Sequence, residues 1–417
     1  MKHVILGNGP AGVVAAETLR RHAPRDEIVL VGSEREPPYS RMAIPYMLIG
    51  RIGEEGTYLR KSADHFAGLD IRLVQDCAVQ LDDAARTVTL EQGGSLSYDR
   101  LLIATGSHPV RPPVPGIDAA GVQTCWTLDD ARAIARVARK GTRVLQIGAG
   151  FIGCIIMESL AERGVQLTVV EMGDRMVPRM MTPRAGAMIR RWIEGRGVKV
   201  ITSAKVDRIV PGAPLKAHLS TGELLEADLV IASAGVRPNV DFLKGTRVRV
   251  GLGVQVDGSM RSSVPEVFAA GDVAEVAEFG TGKPFVNAIQ PDAVDQARAA
   301  ALAMLGKPLK STGALAFNVL DTLGLVSTSF GQWGGVPGGQ GVEEADDERY
   351  RYLSLQFERD TLVGATAIGL TQHVGALRGL IQGRIRLGAW RDRLLEQPGR
   401  FVEAYIACSQ PHSLARQ

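Results

Sequence analysis

The chain has 417 residues, 45% of them hydrophobic and 48 of them glycine, with a net charge of +3. That length suits two or three domains with sizeable cores, and the mild charge without a long basic run excludes nucleic acid as an expected partner. No run of about 18 uninterrupted apolar residues occurs, and the opening "MKHVILGNG" breaks at once on glycine, so neither a membrane span nor a signal peptide is read and a cytoplasmic protein is expected.

In chain order, "KHVIL" from Lys2 to Leu6 reads as a buried strand. "GNGPAG" follows, and "VVAAETLRRHA" then has helical spacing and good helix formers. A G-x-G-x-x-G motif between a strand and a helix is a dinucleotide fingerprint. Gly7 permits the tight turn, Gly9 lets the backbone approach a pyrophosphate, and Gly12 allows close helix packing. The helix N-terminus offers amide hydrogens and partial positive charge to the phosphates. A second strand, "EIVLVGSE", is expected to end at Glu34, about twenty residues on, where a carboxylate can accept ribose hydroxyls.

Next, "YDRLLIATGSHPVRPPVPG" reads as a strand ending in Ala104, Thr105 and Gly106, then a proline-rich crossing between domains. The fingerprint recurs in "RVLQIGAGFIGCIIMESLAERG", with Gly148, Gly150 and Gly153, and "VQLTVVE" ends on Glu171. Two copies imply two nucleotide sites. Glu171 would repel a 2′-phosphate and no arginine directly follows it, which favours NAD over NADP; Arg175 is near enough in sequence to bear on the choice. "ADLVIASAGVRPN" ends a strand at Ala234 and Gly235, and "VPEVFAAGDVAE" sets Asp272 after a strand and a glycine, where it can accept a polyol hydroxyl.

In the tail from about Ser311 to Gln417, "LGLVSTSFGQWGG" and "YRYLSLQFERDTLVGATAIG" read as strands, and "GVEEADDERY" between them as a solvated hairpin loop. "VGALRGLIQGRIRLGAWRDRLLEQPGRFVEAYIA" reads as helices carrying Arg378, Arg384, Arg386, Arg391 and Arg393, either a solvated face or a surface that docks an acidic partner. The cysteines are Cys77, Cys125, Cys154 and Cys408, with no C-x-x-C pair. No metal, private iron–sulfur cluster or disulfide is expected from them.

Taken in order, "GNGPAG", Glu34, "ATG", "GAGFIG", Glu171, "SAGVRPN", "AAGD" and "AIQPDAVDQARAAA" resemble the FAD-dependent pyridine nucleotide-disulfide oxidoreductase superfamily over roughly residues 1–305. The resemblance implies an α/β fold with two Rossmann-like dinucleotide-binding domains, the FAD domain split by an inserted NAD domain, plus a C-terminal α+β interface domain. The expected bounds are 1–110 and 240–305 for FAD, 111–239 for NAD and 306–417 for the interface domain, which family members use for subunit contacts, so an oligomer is expected. It further implies that Gly9, Pro10, Ala11, Gly12, Glu34, Arg35, Arg41, Val79, Thr105 and Asp272 line the FAD, beside Gly7, Ala104 and Gly106. Gly150, Phe151, Ile152, Gly153, Glu171 and Gly235 would line the NAD, with Gly148 at their turn. No catalytic side chain is named, because hydride passes between the nicotinamide and the flavin themselves.

Two departures stand out. Many relatives have a glutamate where this chain has Ile155, and thiol-using relatives carry a cysteine where this chain has Met42. A thioether forms neither a mixed disulfide nor a sulfenic acid, so Met42 is expected to pack near the flavin. Electrons must then leave for a partner, and an iron–sulfur protein or subunit suits the flavin's two-to-one electron conversion. The N-terminal stretch is similar to nitrite-reductase-like and rubredoxin-reductase-like flavoproteins. Overall length and the missing thiol resemble the FAD subunits of phenylglyoxylate-type 2-oxoacid dehydrogenases. The alternatives are a stand-alone NADH:ferredoxin or rubredoxin reductase or NADH oxidase, and a sensor whose flavin state controls association.

Overall fold

A computed structural model describes residues 1–309 and 313–409, which form two compact units. The expected start of the tail at Ser311 and its end at Gln417 lie outside the described residues. One unit comprises 1–109, 126–128, 236–309 and 313–314; the other comprises 110–125, 129–235 and 315–409.

The first unit is built on a five-stranded parallel sheet ordered Val267–Ala269, Arg100–Ile103, Lys2–Leu6, Glu27–Gly32, Ile71–Gln75. Four of its strands are near-continuous buried apolar runs, as covering on both faces requires, whereas the edge strand Ile71–Gln75 is largely exposed. Val4, Ile5, Leu30, Leu101 and Phe268 are all buried in one core. The helix Pro10–His22 crosses between the first two strands and buries Val13, Ala15, Ala16 and Leu19 against that core. Pro10 suits the first helical turn, where an amide hydrogen would have no helical partner. A small antiparallel sheet, Ala78–Asp82, Thr87–Leu90 and Ser95–Ser97, belongs to the same unit.

The second unit repeats the plan with Lys199–Ile201, Gln166–Val170, Arg143–Ile147, Leu229–Ala232 and Val122–Gln123, all parallel. It also holds a five-stranded antiparallel sheet ordered Phe317–Thr322, Leu325–Gly331, Thr361–Ile368, Arg351–Glu358, Gln340–Asp346. The register aligns Asn318, Ser329, Thr366, Ser354 and Glu343 in one row across all five strands. Ser329, Thr366 and Ser354 in that row are buried.

Three expectations are corrected. "GVEEADDERY" is mostly strand: Gln340–Asp346 pairs with Arg351–Glu358, leaving only a tight turn at 347–350. An edge strand is held by main-chain bonds, so its acidic side chains remain in solvent and give no apolar alternation to read. The arginines do not share a helical run. Arg378 lies in the helix Val374–Gln382, which Gly383 and the left-handed Arg384 terminate, and Arg384 and Arg386 lie in the connector before Trp390–Glu396. The strand expected to reach Glu34 ends at Gly32, beyond which the chain turns. No helix among the described residues is long and apolar enough to cross a membrane.

Candidate functional site

Each unit carries one fingerprint turn with the same geometry. In the first, Gly7 has φ 108°, and a Cβ there would collide with the Ala104 carbonyl. A Cβ on Gly12 would collide with the Gly7 carbonyl. Gly9 differs: a Cβ there would meet nothing within 4 Å. It would project into open space at the N-terminus of Pro10–His22, a helix that no side chain caps. A group that accepts the first amide hydrogens fits that space, and a pyrophosphate is such a group.

Other expected residues converge here. Ala104 abuts Gly7, and Thr105 bonds Asn239 twice: its hydroxyl donates to the Asn239 carbonyl at 2.9 Å, and its carbonyl accepts from Asn239 Nδ2 at 2.8 Å. Gly106, with φ 65°, accepts from the Asn239 amide. Gly271, with φ 81°, comes so near the helix start that a Cβ would touch Ala11 at 3.2 Å, which brings Asp272 beside the turn. Asp272 accepts from Ser107 Oγ at 3.0 Å. Burial raises its carboxyl above the usual range, against the opposing pull of Ser107 and Arg41.

Glu34 is held on two sides. Arg41 Nη2 donates to its Oε1 at 2.6 Å, and the Tyr39 hydroxyl donates to its Oε2 at 2.5 Å. Burial raises the Tyr39 phenol, so it stays protonated and a donor. Arg35 is exposed, and Val79 is 45% exposed on the separate small sheet. Neither is drawn into the network around Glu34 and Asp272. Met42 and Tyr46, beyond Arg41, are about half exposed on a short turn and helix.

The second unit matches. Gly148 has φ 102° and a Cβ there would collide with the Ser233 carbonyl; a Cβ on Gly153 would lie 2.6 Å from the Gly148 carbonyl. Gly150 again faces open space, at the uncapped N-terminus of Phe151–Glu162, whose first two residues are Phe151 and Ile152. Glu171 accepts from the Ala149 amide at 2.6 Å and the Gly173 amide at 2.7 Å. Arg175 is turned to Asp174 and to the Met181 and Pro178 carbonyls. Gly235 has φ 103° and accepts from the Val110 amide.

Sequence reasoning missed several supports. Gln146 is wholly buried in the strand and donates to both Gly148 and Gly153 carbonyls at 2.9 Å, bracing the second turn. Asn8 rests on Gly32, where any side chain would displace it. Trp126 bonds both Arg41 and Ser107, although it is remote from them in sequence. A polar residue in an otherwise apolar strand was a usable signal for Gln146; a lone tryptophan gives none.

The thiols are poor nucleophiles. Burial pushes Cys125 and Cys154 up to about 12 and raises Cys77 and Cys408. All four are free. No group of three or more metal-ligating side chains occurs among the described residues.

The family described as pyridine nucleotide-disulphide oxidoreductase matches residues 1–301. The chain is 33% identical over 402 residues to the NADH-dependent phenylglyoxylate dehydrogenase subunit epsilon of Aromatoleum evansii, covering 95% of each chain. It is 34% identical over 272 residues to the biphenyl dioxygenase system ferredoxin–NAD(+) reductase component of Paraburkholderia xenovorans, covering 65% of this chain and 66% of that one. A chain in the covalent putidaredoxin reductase–putidaredoxin complex matches with TM-score 0.90 at 24% identity, over 98% of this chain and 99% of that one, a likeness of fold.

Proposed function

This chain belongs to the pyridine nucleotide-disulphide oxidoreductase family, and from that premise we propose that it moves electrons between NAD(H) and an iron–sulfur protein or subunit. It is an oxidoreductase whose cofactors are FAD and NAD. On this reading residues 1–110 and 240–305 form the FAD domain, 111–239 the NAD domain, and 306–417 an interface domain in a cytoplasmic oligomer. The finer reading is an NAD-linked flavoprotein subunit of a multisubunit 2-oxoacid dehydrogenase of the phenylglyoxylate type. Likeness to the epsilon subunit along nearly the whole of both chains supports it.

The observation that carries the proposal is Met42. The side chain following Arg41 has no thiol, and burial pushes the Cys125 and Cys154 thiols up to about 12. A disulfide relay at this position therefore has no nucleophile, and electrons leave by another route.

The residues divide the work. Gly9 and the amide hydrogens beyond it receive the FAD pyrophosphate. Glu34 accepts the ribose hydroxyls, oriented by Arg41 and Tyr39. Asp272 accepts a polyol hydroxyl, and Ala104, Thr105 and Gly106 line the turn opposite. Gly150, Phe151, Ile152 and Gly153 receive the NAD pyrophosphate, and Glu171 its ribose. Bound FAD supplies hydride exchange with NAD(H) and division of the electron pair into single-electron steps. The protein's part is orientation and exclusion of water.

A stand-alone ferredoxin reductase is the second reading, favoured by the likeness to the biphenyl dioxygenase component. Anaerobic isolation of the native protein separates the two. The complex reading expects iron–sulfur subunits to co-purify and to exchange electrons with the flavin once NADH has bleached it. A chain that always purifies alone and turns over with free ferredoxin establishes the second reading. Rapid NADH oxidation with oxygen alone, and no exchange with any iron–sulfur protein, overturns both.

A further inference from the structure

Residues 126–128 belong to the first unit although the residues on either side of them belong to the second. This three-residue visit places Trp126 between two carboxylates that the sequence keeps 238 positions apart, Glu34 and Asp272. On one side, the Trp126 carbonyl accepts from Arg41 Nη1 at 2.8 Å, and Arg41 Nη2 reaches Glu34 at 2.6 Å. The guanidinium carbon also lies 5.4 Å from the Trp126 ring and 5.5 Å from the Tyr39 ring, so two aromatic faces hold the cation. On the other side, Trp126 Nε1 donates to the Ser107 carbonyl at 3.1 Å, and Ser107 Oγ donates to Asp272 at 3.0 Å. The chain of contacts therefore runs Glu34, Arg41, Trp126, Ser107, Asp272.

We propose that Trp126 is a positioning residue for the first dinucleotide site, holding Arg41 on Glu34 and Ser107 on Asp272 so that both carboxylates face the hydroxyls of one bound FAD. The proposal rests on the assignment of FAD to that site. Arg41 takes one oxygen of Glu34 and the Tyr39 hydroxyl the other, so a ligand hydroxyl uses the lone pairs that these two donors leave. Asp272 is a buried acid, and a hydroxyl donor on one oxygen fixes the direction in which the other accepts. Trp126 sets both through different atoms: its main-chain carbonyl and ring act on Arg41, its indole N–H on Ser107. A substitution can separate the two.

The test uses the full chain freed of flavin and titrated with FAD, following the quenching of flavin fluorescence. Trp126→Phe keeps the carbonyl and an aromatic face and loses the N–H with one ring of the indole; a weakening of FAD binding by about 5-fold is expected. Trp126→Ala loses the ring as well, with an expected weakening of about 10–50-fold. Ser107→Ala is combined with Trp126→Phe as a cycle. The two losses should not multiply, because both act on Asp272 through the same bond. Thermal unfolding of the flavin-free variants and their NADH affinity at the second site are measured alongside; Trp126→Phe should leave the NADH affinity unchanged and lower the unfolding midpoint only by the few degrees that one lost hydrogen bond costs. Gly9→Val keeps the two readings apart. If it abolishes FAD binding while Trp126→Phe binds as wild type, the Trp126 proposal falls and the site stands. If the Phe and Ser107→Ala losses multiply in full, the linkage through Ser107 falls. If Gly9→Val binds FAD as wild type, the site assignment falls and the proposal with it.

Discussion

Asp272 is a carboxyl kept in a place that does not suit its charge. Burial raises it, and neither Ser107 nor the field of Arg41 restores it. The sign of the effect on stability follows. A raised folded-state value means that the folded chain binds the proton more tightly than the unfolded chain. Stability then falls as pH rises from the ordinary carboxyl value to the raised one, and is level above it. Asp272→Asn removes that slope. The flavin-free variant should have a higher urea midpoint than wild type at pH 7, a smaller advantage at pH 5, and weaker FAD binding. A variant less stable than wild type at pH 7 would mean that the carboxylate is favourably held. On the proposed assignment such a residue gives up stability for a ligand, and its position beside the turn was legible: a glycine-aspartate after an apolar strand is a short signal with a physical reason. What the sequence could not give was its donor. Ser107 lies in "ATGSHP", and its link to Asp272 exists only because Val267–Ala269 pairs with Arg100–Ile103.

At the level of elements, regular apolar runs read well and edges read badly. "KHVIL" is a strand from its first residue to its last because it is central, parallel and buried. Gln340–Asp346 was hidden because an edge strand takes its stability from main-chain bonds. Another junction was equally hidden. The helix Pro183–Glu194 starts at Thr182, whose hydroxyl accepts from the Ala185 amide and shares a 2.7 Å hydrogen bond with the Tyr352 phenol. Tyr352 is wholly buried and also donates to Glu343 at 2.7 Å. One phenol thus ties a helix cap to the antiparallel sheet. Tyr352→Phe leaves the ring in place and deprives both partners, so it should cost about 1–3 kcal/mol in chemical denaturation. A loss below about 0.5 kcal/mol would show that Thr182 and Glu343 find other partners. Nearby, Asp347 accepts from Arg184 and Arg191, but these are half-exposed groups and add little.

For the whole molecule, the question is how electrons leave. Arg384 and Arg386 are exposed in the connector after Val374–Gln382. If an acidic partner docks there, charge reversal at both positions slows electron transfer to that partner and flattens its dependence on salt, while NADH still bleaches the flavin at the wild-type rate. Stopped-flow absorbance with and without the partner measures the two steps separately. Equal partner kinetics for wild type and variant would remove this surface from consideration. The repeated fingerprints carried the architecture in the sequence because each couples a fixed spacing to a fixed turn. Of the residues that brace the turns, Gln146 acts within its own strand–turn–helix segment and could be read from it, whereas Trp126 acts through tertiary contacts that no local spacing encodes.

The twin turns carry a consequence for loading. Gly9 and Gly150 present nearly the same opening, and the two dinucleotides share an adenosine diphosphate half. On the proposed assignment, in which each opening receives a pyrophosphate, the turns themselves cannot sort one from the other. Sorting falls to the rims, where one acid is clamped by a phenol and a guanidinium and the other by two main-chain amides. On that assignment the two guests are rivals for similar seats, and the rims alone tell them apart.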